Sequence, residues 1–276
     1  MEINNKFANK YKGGVSMNLY YEESGKQTGP LFVFIHGGGV GSWMWTEQLD
    51  YFSHYHCVTI DLPGHGRSII NQTFSIEDIS QEILSIIESL RGDKEVIVCG
   101  FSIGAQIALQ ILSQTKTIDY AIINSALVRP QRLLNLMMKP LLPLSFPLAK
   151  TKRFSKAQAK ALLIPETFHE LYERDSVAMT YRILRDTIYE NMIFEIPKGL
   201  ENCPTKTLVT VGEKERRMMK RSADDIVYTM VNATGVTIAG LGHGLPYAKP
   251  DLFNHLVQTW LQTGEIIESV NKVGNY

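Results

Sequence analysis

Three glycine-flanked segments carry the residues of this chain best suited to chemistry. Gly100-Phe101-Ser102-Ile103-Gly104 ends an apolar run, Glu95-Val96-Ile97-Val98-Cys99, and sets Ser102 where a strand should turn sharply into a helix. Both glycines lack a β-carbon, so strand and helix can approach closely enough to hold the serine in a strained conformation with its hydroxyl outward. Ser102 is therefore a candidate nucleophile, at a helix N-terminus whose field favours developing negative charge. The plainer alternative is a glycine-rich turn whose serine caps the helix. An activated serine also needs a base, an acid to orient that base, and donors for the oxyanion. Gly240-Leu241-Gly242-His243-Gly244 supplies His243 as the base, on a loop after the last predicted strand. Gly212-Glu213-Lys214-Glu215 follows the preceding strand and supplies the acid, Glu215 first with Glu213 as the alternative. In His36-Gly37-Gly38-Gly39 the glycines leave backbone N–H groups uncovered, and the N–H groups of Gly38 and Ile103 together would form an oxyanion hole.

These groups are useful only if strand ends bring them together. Short apolar runs alternate with longer amphipathic segments, the pattern of a mostly parallel sheet covered by helices, an α/β architecture. Strands are predicted at Ser16 to Glu22, Leu31 to His36, His56 to Ile60, Glu95 to Cys99, Tyr120 to Asn124, Lys206 to Val211 and Val236 to Ala239. Helices are predicted at Trp43 to Phe52, Ile76 to Leu90, Ser102 to Ser113, Ser222 to Val231 and Pro250 to Thr263. Ser75-Ile76-Glu77-Asp78 carries an acid three residues after a serine, a helix-start signal. Residues 127–202 break the alternation with no clear strand, and Pro140, Pro143 and Pro147 forbid one continuous helix in their first part. This segment is predicted to be an inserted helical cap over an apolar pocket, leaving 1–126 and 203–276 as the core.

Twenty-eight Lys plus Arg balance 28 Asp plus Glu, which argues against a nucleic-acid partner and suits a small neutral substrate. Cys57, Cys99 and Cys203 are too far apart to suggest a disulfide framework or a zinc site. No signal peptide and no bilayer-spanning run is visible, so the expectation is a soluble cytoplasmic protein without stable membrane insertion. The cluster Lys150, Lys152, Arg153, Lys156 and Lys160 reads as a solvated helix face, with contact to anionic lipid as its alternative.

In order along the chain, the glycine-rich loop, Asp61-Leu62-Pro63-Gly64-His65-Gly66-Arg67-Ser68, the serine turn, the Gly-x-x-acid turn and the final Gly-His resemble a serine hydrolase of the α/β-hydrolase fold. The resemblance covers nearly the whole chain. It implies a mostly parallel central sheet flanked by helices, an inserted helical cap, and a triad of Ser102, Glu215 and His243. It further implies hydrolysis of carboxylic esters of small to medium apolar acyl groups through an acyl-enzyme, with no metal or organic cofactor. Two positions depart from the family pattern: the acid turn carries Glu215 in place of the usual aspartate, and Gly104-Ala105 replaces a Gly-Gly pair. A carbon–carbon bond hydrolase or lyase of the same fold is one alternative, in which Arg182 or Arg185 would meet a substrate carboxylate. A slow-turnover receptor or regulatory binding protein is the other. Oligomeric state is not readable from the sequence.

Overall fold

In the computed structural model the described residues are 19–68, 73–267 and 270, together with the backbone of 4–7 and 271–272. Their strands are β1 (Asn4–Phe7), β2 (Tyr20–Gly25), β3 (Leu31–Ile35), β4 (His56–Ile60), β5 (Val96–Phe101), β6 (Tyr120–Asn124), β7 (Lys206–Gly212), β8 (Ala233–Ile238) and β9 (Asn271–Lys272). They form one sheet in the order β1-β2-β4-β3-β5-β6-β7-β8-β9. From β4 to β8 every neighbouring pair is parallel, and antiparallel pairing is confined to the two edges. Parallel strands buried on both faces need continuous apolar runs, and β3, β4 and β5 are buried at every residue. The twofold alternation of a strand divides them between layers: Val33 and Ile35 enter one apolar core, Phe32 and Phe34 the other.

The first helices are α1 (Thr46–Tyr51), α2 (Ile76–Arg91) and α3 (Ile103–Gln114); between β6 and β7 come α4 (Arg132–Met138), α5 (Leu142–Ala149), α6 (Lys152–Ala161), α7 (His169–Ala178) and α8 (Tyr181–Ile193). After β7 follow α9 (Arg217–Thr229), α10 (Leu245–Ala248) and α11 (Pro250–Thr263). The Ser75 hydroxyl accepts the Asp78 N–H at 3.2 Å and starts α2 as its sequence signals. α4 stops before Pro140, while α5 takes Pro143 in its first turn and tolerates Pro147 inside.

Several predicted boundaries are corrected. The strand expected at Ser16 to Glu22 runs instead over Tyr20–Gly25; Ser16 to Asn18 lie outside the described residues. The expected helix from Trp43 opens as a 3₁₀ turn, Ser42–Trp45, before α1. α9 starts five residues ahead of the expected Ser222, because that serine caps nothing: its buried hydroxyl accepts the Val128 N–H at 3.2 Å.

Candidate active site

Register brings the chemistry-bearing loops to one edge of the sheet. Ile35 pairs with Gly100, Phe101 with Asn124, Asn124 with Thr210 and Gly212 with Ile238, so the loops after β3, β5, β6, β7 and β8 emerge side by side. In parallel sheets this carboxyl edge is where ligands bind, above all where the strand order reverses, as it does at β3 between β4 and β5.

Ser102 sits between β5 and α3 with φ 56° and ψ −118°. A non-glycine residue there is strained by about 1–3 kcal/mol. Its hydroxyl does not cap α3, which removes the plainer reading of this serine. Backbone contact enforces the turn: a β-carbon on Gly100 would lie 2.3 Å from the Gly104 carbonyl oxygen, and one on Gly104 would lie 2.4 Å from the Ile35 and His36 carbonyls. Glycine is required at both.

The loops after β7 and β8 are fastened to each other. Lys214 N–H donates to the Leu241 carbonyl at 2.7 Å and Glu213 N–H to the Ile238 carbonyl at 3.0 Å. This contact carries Glu215 to His243, whose Nδ1–H donates to Glu215 Oε2 at 2.8 Å. The other carboxylate oxygen accepts from Gly212 N–H at 2.9 Å and from the Ser125 hydroxyl at 2.7 Å. Burial works to raise the Glu215 pKa, yet the imidazole bond and charge, with these two donors, outweigh it and hold the carboxyl below the usual glutamate value. With Nδ1 donating, Nε2 is left as the acceptor nitrogen of the neutral ring. The imidazole lies 4.8 Å, ring to ring, from Phe101, the neighbour of Ser102. Glu213 is employed elsewhere: its carboxylate accepts the Gly240 N–H at 2.7 Å.

Two buried histidines hold the glycine loop. His36 Nε2 accepts the Leu62 N–H at 2.9 Å and His65 Nε2 accepts the Gly39 N–H at 3.0 Å, while each Nδ1–H donates to a carbonyl, of Gly37 and Pro63 respectively. Burial pushes both pKa values down, His65 to about 3, with the neighbouring His36 adding to the effect. Gly39 N–H is thereby consumed. Gly38 remains beside Ile103, whose side chain would be 3.7 Å from a β-carbon placed on Gly38. Ile103 is the first residue of α3, so its N–H has no carbonyl to meet within the helix.

Ser102, Gly38 and Ile103 line a cavity of about 380 Å³ whose far wall is the helical segment between β6 and β7. Leu142 and Phe146 of α5, Phe154 of α6, Tyr172 of α7 and Leu184 and Ile188 of α8 make it apolar. Among the described residues that line it there is no Asp, Glu, Lys, Arg or His. Neither Arg182 nor Arg185, the candidates for a substrate carboxylate under the carbon–carbon hydrolase alternative, lines it: Arg185 pairs with Asp186 at 2.7 Å, and Arg182 donates to the Thr73 hydroxyl at 2.7 Å. Among the described residues no cluster of His, Cys, Asp or Glu could hold a metal ion. The three cysteines are buried free thiols, and burial alone pushes Cys57 up to about 12.

Two residues of the site are not singled out by the sequence. Ser125 has φ 55° and completes the Glu215 carboxylate; the adjacency of β6 and β7 that puts it there is invisible in one dimension. Thr187 lines the cavity beside Gly38, and its buried hydroxyl has no hydrogen-bond partner.

This fold and this loop arrangement are those of the α/β hydrolases, and residues 32–256 match the family described as "Alpha/beta hydrolase family". The chain belongs to that family. It is 23% identical to (E)-2-((N-methylformamido)methylene)succinate hydrolase of Acinetobacter baylyi over 257 residues, 88% of this chain and 94% of that one. Similarity to 2-succinyl-6-hydroxy-2,4-cyclohexadiene-1-carboxylate synthase of Yersinia enterocolitica is higher, 34%, but spans only 84 residues, 30% of either chain. The crystal structure of a bromoperoxidase from Bacillus anthracis shares the fold, with TM-score 0.76 and 20% identity over 94% of this chain and all of that one. Family members are hydrolases, and no described helix is long and apolar enough to cross a membrane.

Proposed function

We propose that the protein is a serine hydrolase cleaving carboxylic esters of small to medium, uncharged apolar acyl groups. Ser102 Oγ attacks the ester carbonyl carbon while its proton passes to His243 Nε2. The resulting oxyanion is received by the N–H groups of Gly38 and Ile103, an interaction typically worth about 3–4 kcal/mol per donor. His243 then protonates the leaving alcohol, and the C–O bond breaks to leave Ser102 acylated. Water, deprotonated by the same imidazole, releases the acid and restores the hydroxyl. Glu215 keeps its proton off throughout, holding the tautomer and offsetting the imidazolium charge.

The observation that carries this reading is Ser102 itself: a strained serine at a helix start whose hydroxyl caps nothing, facing a cavity. An ester substrate is favoured over a dienoic keto acid because no cation stands among the described residues that line that cavity. The helical segment would act as a cap whose wall selects the acyl group. Labelling with an active-site-directed fluorophosphonate and turnover of a chain-length series of p-nitrophenyl esters test the proposal. Ser102→Ala should abolish labelling and lower kcat by at least about 10⁴-fold with its unfolding midpoint kept. Wild-type turnover by purified Ser102→Ala protein would refute the mechanism, and stoichiometric ligand binding without labelling or turnover would make the protein a receptor.

A further inference from the structure

The charge balance of the whole chain conceals a local imbalance. From residue 129 to residue 161 there are eight Lys and Arg and not one Asp or Glu. Some of these cations are committed: Arg129 to Asp225, Arg132 to Glu195 and Lys152 to Glu173. Arg153, Lys156 and Lys160 are exposed on α6 without an ion pair among the described residues, and their spacing of three and four puts them on one face.

The same stretch is unusually apolar on its outside. Leu133, Leu136 and Met137 of α4 and Leu141, Leu144 and Leu148 beside or on α5 are between 56% and 79% exposed. Each set follows helical spacing, so each forms a stripe. α5 is apolar on both sides: Leu142, Phe146 and Ala149 line the cavity while Leu144 and Leu148 face out. A helix apolar all round belongs in a core or against lipid, and among the described residues this one has protein on one side only.

We propose that the outward face of α4 and α5, with the cations of α6, docks on an anionic lipid surface, placing the wall of the cavity against the source of an apolar ligand. Exposed leucine and methionine stripes, followed in the chain by an exposed lysine and arginine face, match the acyl and headgroup levels of such a surface. Protein partners are usually gripped by Trp, Tyr and Arg, with leucine under-represented. The two aromatic side chains of this stretch, Phe146 and Phe154, turn to the cavity instead. The inference concerns docking and does not depend on the ester reading.

Co-sedimentation with vesicles of phosphatidylcholine alone, or of phosphatidylcholine with about a third phosphatidylglycerol, should show at least about tenfold tighter partition onto the anionic vesicles, weakening as salt rises. The Ser102→Ala protein should partition equally, so that docking is read without turnover. Leu144→Ser with Leu148→Ser, and separately Arg153→Gln with Lys156→Gln and Lys160→Gln, should each lose most of the binding while keeping the wild-type circular dichroism spectrum and unfolding midpoint. Equal partition onto both vesicle types, or undiminished binding by both variants, overturns the proposal. So does light scattering that shows a dimer abolished by the leucine variant, or salt-sensitive binding of an acidic protein without vesicle binding.

Discussion

On the sheet side of the cavity, backbone touches backbone. A β-carbon on Gly212 would lie 2.4 Å from the Gly242 carbonyl, Gly104 is as tightly enclosed, and Glu215 is met at both oxygens. On the helical side, α4 and α5 bury a single residue between them, Asn135. The rest of that segment is better tied: Trp43 Nε1–H donates to Asp175 at 2.7 Å, the Tyr247 hydroxyl to the Leu162 carbonyl at 3.1 Å, and Ile76 N–H to Glu190 at 3.0 Å. Groups that move protons must be held within fractions of an ångström, whereas a wall that meets hydrocarbon gains from area alone and tolerates adjustment. The contrast is between tightly fastened loops and a loosely packed helical wall.

Substitutions on the fastened side should cut deepest. Glu215→Gln is expected to lower kcat for esters by roughly 10³–10⁴-fold, as an amide no longer holds the imidazole tautomer, while Glu213→Gln stays within a few-fold. Equal losses in steady-state assays would mean that Glu213 shares the role. Acid should also act on this side first. His65 has a folded pKa near 3 against an ordinary 6.5, so below pH 6.5 the unfolded chain binds the proton first and stability declines toward pH 3. The decline is at most about 1.4 kcal/mol per pH unit for each such histidine. Glu215, held below its ordinary value of 4.5, contributes fully above that pH and loses its contribution progressively as the pH falls from there through its lowered pKa. Urea midpoints measured from pH 7 to pH 4 should fall less steeply in His65→Gln than in wild type.

On the enclosing side effects should be smaller. Thr187→Val keeps the shape and removes an unpartnered hydroxyl, so stability should hold or rise by about 1 kcal/mol. If that hydroxyl bonds to bound ester, kcat/KM should fall about tenfold in the same variant, and an unchanged value would show that it takes no part in binding. Leu144→Gln, on the exposed side of α5, should alter the unfolding free energy by no more than about 0.5 kcal/mol. A loss of several kcal/mol there would show that α5 is as firmly built in as the loops.

What could be read in one dimension follows the same division. Glycines that let backbone approach backbone are visible as letters, so the turns at Ser102, Glu215 and His243 and the strands leading to them were legible. Ser125 and Thr187 were not, because each acquires its role from a neighbour that only the strand order or the helical packing supplies. The start of α9 was not legible either: it lies five residues before the expected Ser222, which sits inside the helix with its hydroxyl accepting the Val128 N–H. Arg182 and Arg185 carried the right charge for a carboxylate and are occupied outside the cavity.

The two short antiparallel strands at the margins of the sheet also matter for handling the protein. β1 and β9, four residues and two, cover the flanks of β2 and β8. Removing residues 1–7 would leave a row of unpaired N–H and C=O groups along Tyr20 to Glu23, a template on which further copies can add, and removing those beyond 270 would free the shorter row at Val236 and Thr237. Trimming the chain for crystallisation would therefore invite fibrous association.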